Sequence, residues 1–108
     1  MPKLFGLVQG TIDDIKVDAP STLNRGETMT LDVKIAGEGS TDLRSVVRVD
    51  VYDPEGAYTL YYSDNCEVVN GSGTHRFNTA LNDLPGQWKI HLTEVISGTE
   101  QEISVQVH

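Results

Sequence analysis

The chain has 108 residues, 16 acidic and 8 basic, for a net charge of −8, and this length is typical of one domain that buries a core without staples. The acidity argues against nucleic acid and anionic membranes as partners, since affinity for both rests on clustered Lys and Arg. A lone cysteine, Cys66, excludes a disulfide within the chain, and no apolar run approaches the roughly 20 residues needed to span a bilayer.

Residues 1–10 form an N-terminal segment in which Leu4 to Val8 reads either as a short strand or as a linker. Its apolar stretch is too short for a signal peptide. Residues 11–108 read as a single domain. Thr11 to Val17 alternates imperfectly, and the break at Asp13-Asp14 predicts a bulge or a kinked edge strand. Asp18-Ala19-Pro20-Ser21 ends it, and Asn24-Arg25-Gly26-Glu27 is a turn. Thr28 to Ala36 follows as a clean strand, with Met29, Leu31, Val33 and Ile35 on one side.

Gly37 to Asp42 reads as a small-residue loop and Arg44 to Tyr52 as a strand with Val47, Val49 and Val51 inward. Asp53-Pro54-Glu55-Gly56 has the residues a β-turn favours at its first, second and fourth positions. Tyr58 to Tyr62 and Cys66 to Val69 read as two shorter β segments. Asn70-Gly71-Ser72-Gly73 is a strong hairpin signal, leading into a strand over Thr74 to Leu81. Pro85-Gly86 predicts a type II turn over Leu84 to Gln87. From there Trp88, Ile90 and Leu92 point one way while Lys89, His91 and Thr93 point the other. Ser97-Gly98 turns the chain into a last strand, Glu100 to Val107.

Seven to nine short strands, with turn residues about every 8–12 positions and no sustained helical period, define an all-β chain built as an antiparallel β-sandwich. Four apolar sets, Met29 to Ile35, Val47 to Val51, Trp88 to Leu92 and Ile103 to Val107, supply the core between two sheets.

A strand ending Tyr52-Asp53-Pro54-Glu55-Gly56, then a hairpin, then Pro85-Gly86-Gln87-Trp88 opening a strand, resembles immunoglobulin-like modules of large bacterial surface or secreted proteins. It is similar to macroglobulin-like and fibronectin-III-like domains, and to sandwich modules appended to glycoside hydrolases. Over residues 10–107 the resemblance implies an immunoglobulin-like sandwich from an extracellular or cell-surface multidomain protein. Its implied partners are other domains of the parent or another protein. The lone Cys66 departs from the Cys…Trp…Cys core of antibody-type domains.

The chemistry-bearing residues point away from catalysis. His75 and His91 lack metal-ligand spacing, and no nucleophile elbow, phosphate loop or zinc-finger pattern occurs. Cys66, with no basic neighbour to lower its pKa, reads as a half-buried strand residue. Calcium could draw on Asp13, Asp14 and Asp18, on Asp53 and Glu55, or on Asp64 and Asn65, but Asp in a turn already caps the backbone. No cofactor is expected. The one candidate patch for a ligand or partner is Tyr52, Tyr58, Tyr61 and Tyr62, clustered around the Asp53 turn. The expected function is a structural or protein-interaction module, with a carbohydrate-binding accessory domain, and so a glycan partner, as the alternative.

Overall fold

A run that alternates apolar and polar residues can bury one face only by pairing edge to edge and stacking on a second such layer. The computed structural model, which describes residues 10–39 and 45–108, shows that solution. Its strands are β1 (Gly10–Asp18), β2 (Thr22–Leu23), β3 (Thr28–Gly39), β4 (Ser45–Tyr52), β5 (Asp64–Val68), β6 (Ser72–Asn78), β7 (Gly86–Glu94) and β8 (Glu100–Val107). One sheet has the order β1-β3-β6 and the other β2-β8-β7-β4-β5. Every pairing is antiparallel except the short β2–β8 contact, which is parallel. The fold is an immunoglobulin-like β-sandwich.

The inward sets meet as expected. Leu31, Val33, Val47, Val49, Val51, Ile90, Leu92 and Val105 are fully buried, and Trp88 is 7% exposed. Ile103 is only half-buried against them. The β1–β3 register slips between Ile12 and Asp14, the bulge expected at Asp13-Asp14. Cys66 is more buried than expected, at 2%, and burial pushes its thiol pKa up.

Several boundaries differ from expectation, each for a local reason. β3 runs on to Gly39 rather than ending at Ala36, because Gly37, Glu38 and Gly39 pair with Ile12, Thr11 and Gly10. The rest of the expected loop, with Arg44, lies outside the described residues, as does Leu4 to Val8. The hydrogen-bonded turn before β7 lies at Ala80–Asp83, where Asp83 N–H donates to Ala80 O (3.1 Å). Gly86 has the positive φ expected of it, +136°, but already belongs to the strand.

Tyr58 to Tyr62 is not a strand. Tyr58 makes one bridge to Tyr52, and Leu60–Tyr62 is a single 3-10 turn. The hairpin signal at Asn70-Gly71 holds for one rung only. Both residues take the left-handed φ of a tight turn (+55° and +79°), and Val69 pairs with Ser72. Then the strands part, β5 into one sheet and β6 into the other.

Candidate functional site

The four tyrosines do not form one patch. The bulk of Tyr62 is drawn inward, where its ring stacks on Phe77 (4.5 Å between centroids) and lies 6.0 Å from Trp88. Only its hydroxyl reaches outward, donating to Asp83 Oδ2 (2.5 Å) and accepting from Ala80 N–H (3.1 Å). Burial, then the bond to Asp83, push its pKa up to about 12. Tyr62 is a core residue.

Tyr52 and Tyr58 sit on the outer face of the five-stranded sheet, edge to face, with rings 5.5 Å apart and 63° between planes. Tyr58 closes a polar cluster there. Its hydroxyl donates to Asp50 Oδ1 (3.0 Å) and accepts from an Arg48 guanidinium N–H (2.6 Å). Arg48 also donates from Nε to Asp50 (3.1 Å) and more weakly to Asn65 Oδ1 (3.4 Å). The hydrogen bonds to Tyr58 and Asp50 raise the Arg48 pKa further. Period two explains the grouping, because Arg48 and Asp50 share a face of β4 and Asn65 is the cross-strand neighbour of Arg48 on β5. The tilted ring pair offers a sugar no flat, two-ring platform.

Tyr61 goes elsewhere. It is 77% exposed beside Leu60 (68%), on the 3-10 turn at one end of the sandwich. Leu81 (79% exposed) and Leu84 project from the β6–β7 loop at that same end. The Tyr62–Asp83 bond ties this loop to the 3-10 turn, and Trp88 Nε1–H fastens it by donating to Leu84 O (2.9 Å). Leu81 lies over the neighbouring turn, where a Cβ on Gly26 would stand 2.7 Å from its Cδ2. Four exposed apolar side chains therefore share one braced end. At the opposite end Val69, Val95 and Ile96 are exposed.

Both internal histidines serve the scaffold. His75 Nε2–H donates to Tyr62 O (2.9 Å), and His91 Nε2–H to Glu100 Oε1 (2.7 Å). The Asp53 turn also accounts for its own carboxylate, whose Oδ1 accepts from Glu55 N–H and Ala57 N–H (both 2.9 Å). Asp64 and Asp14 cap the backbone N–H of the next residue in the same way. Among the described residues no group of three or more His, Cys, Asp and Glu is placed to hold a metal ion.

Glu94 is the polar residue the sequence reading passed over. It is fully buried at the end of β7. Its carboxylate accepts from Ser45 Oγ, from Ile96 N–H (3.0 Å), and from Ser97 N–H and Oγ (2.7 and 2.6 Å). Burial opposes its charge, but these donors prevail and hold its pKa below 4.5. The signal lay in the parity: Glu94 continues the inward series Trp88, Ile90, Leu92.

No family model and no curated protein matches this sequence. Solved structures do share its architecture. A Listeria innocua β-glucosidase in complex with isofagomine matches 91% of this chain at 17% identity and a TM-score of 0.58, and this chain spans only 16% of that enzyme. The CARDB domain of a Pyrococcus furiosus protein, in complex with di-metal ions, matches 94% of this chain and 90% of its own at 15% identity and a TM-score of 0.56. A superoxide reductase, neelaredoxin, from Ignicoccus hospitalis matches 90% of this chain and 82% of its own at 12% identity and a TM-score of 0.52. Identities this low establish a common sandwich and leave activity open. The fold class is that of immunoglobulin-like sandwiches; among these matches it is a small part of one enzyme, nearly all of one domain and most of the chain of another enzyme.

Proposed function

We propose that this chain is a non-catalytic module of a larger surface or secreted protein, and that it packs against a neighbouring domain of that protein. The observation that carries the reading is the braced apolar end: Leu60, Tyr61, Leu81 and Leu84, all exposed on two tied loops. Exposed apolar groups gathered at one end of a fold mark a contact site, and two bonded loops offer them in a fixed arrangement at little ordering cost. The β-glucosidase supports the reading, because there a comparable sandwich forms a small portion of a longer chain.

Glycan binding is the weaker reading. Its expected aromatic platform is divided between Tyr62 in the core, Tyr61 at the end, and the tilted Tyr52–Tyr58 pair.

The test is binding in trans between this chain and the remaining domains of its parent, produced without the module. Calorimetry is expected to show association that Tyr61→Ser and Leu81→Ser abolish while leaving the melting temperature unchanged. Absence of association, or association indifferent to both substitutions, refutes the reading.

A further inference from the structure

The edge strand β8 is only partly paired. β2 meets it at Gln106 and Val107 alone, and among the described residues no strand pairs with Glu100 to Ser104 on the side away from β7. The direction of its backbone groups follows from two bonds. Gln106 N–H donates to Ser21 O and His108 N–H to Leu23 O (both 2.9 Å), so residues of this parity turn their N–H and C=O away from β7. Alternate residues of a strand point their backbone groups to the same side. Glu102 and Ser104 therefore turn N–H and C=O groups to this edge, where β1 of the other sheet lies nearby. The exposed Gln101 Oε1 accepts weakly from the Glu102 N–H (3.3 Å), a contact that an added strand displaces.

The side chains along this edge define what fits there. On the outer face stand Glu100 and Glu102, both exposed. On the inner face Ile103 is packed against the core but half-exposed. The other sheet edges are less available: β1 is bulged, and the edge strands β6 and β5 approach each other so closely that a Cβ on Gly73 would lie 2.3 Å from Glu67 O. We propose that β8 accepts an extended segment of another protein as an added strand, one that alternates basic and apolar residues. Its basic side chains pair across the strands with Glu102 and with the Glu100 carboxylate, whose Oε1 already accepts from His91, and an apolar one covers Ile103. The net charge of −8 favours the approach of such a segment. This surface is separate from the apolar end and does not depend on it.

The experiment is an amide NMR titration of the whole chain with a short blocked peptide of alternating lysine and valine. Before the peptide is added, the Glu102 and Ser104 amides are expected to exchange rapidly with solvent. With it they shift and become protected. Glu102→Lys weakens binding roughly tenfold or more. Ser104→Pro, which removes an edge-facing N–H and leaves the β7 ladder intact, blocks it. Protection of both amides before addition, shifts confined to other strands, or equal binding of a peptide N-methylated at alternate residues would each overturn the proposal. The last result would reduce the effect to general charge attraction.

Discussion

The Tyr62 hydroxyl donates to Asp83 Oδ2 across 2.5 Å while accepting from Ala80 N–H, so one phenol joins the 3-10 turn to the β6–β7 loop. Both the core beneath and the apolar end above depend on this bond. Tyr62→Phe keeps the stacking on Phe77 and removes the tie. A loss of about 1–2 kcal/mol is expected in urea melts, and Tyr61 and Leu81 should gain mobility.

The same residue gives an alkaline signature. The folded-state pKa of Tyr62, about 12, lies above its ordinary 10.0. Its contribution is therefore complete below pH 10 and is lost as pH rises toward 12. Denaturant melts across that window should show wild type falling toward Tyr62→Phe, and a constant gap between them would contradict the assignment.

Glu94 gives the acid counterpart. Its folded pKa is depressed below 4.5, so its stabilisation is present above that pH and disappears as pH falls through the folded value. Glu94→Gln places an amide among donors and should cost roughly 1–3 kcal/mol at neutral pH. The gap between the two proteins should narrow in acid. A difference independent of pH would show that the carboxylate charge is not what the β7–β8 turn uses.

Gly73 shows a close approach rather than a special backbone angle. A methyl group there would press on the Glu67 carbonyl where β6 leaves β5. Gly73→Ala is expected to destabilise by roughly 1–3 kcal/mol. Gly56→Ala meets no atom within 4 Å and pays only for its φ of +84°. Thermal melts of the pair separate the two effects.

Trp88 belongs to the part of the fold that could be read directly. Alternation along β3, β4, β7 and β8 fixed which side chains turn inward, because one buried face per sheet leaves period two visible. Tyr62 and the β5–β6 corner were hidden, since long-range contacts decide them. The sequence Leu60-Tyr61-Tyr62 has strand propensity, yet contact with Phe77 and Trp88 curls it into a 3-10 turn. Asn70-Gly71 announces a tight turn but cannot say that its flanking strands join different sheets. The apolar end is partly legible: Tyr61 stands out in the sequence, while Leu81 reads as the end of a strand that in fact stops at Asn78. Trp88→Ala should cost about 3–5 kcal/mol, and native indole emission should be that of a dry environment.

The most direct measurement compares the melting of this sandwich alone with its melting inside the intact parent polypeptide. Docking of the Leu60, Tyr61, Leu81 and Leu84 end stabilises only the folded module. The melting temperature should therefore be higher in the parent, and Tyr61→Ser with Leu81→Ser should return it to that of the isolated chain. Equal melting in both settings, or a difference that survives both substitutions, would contradict the assignment of this end as a docking surface.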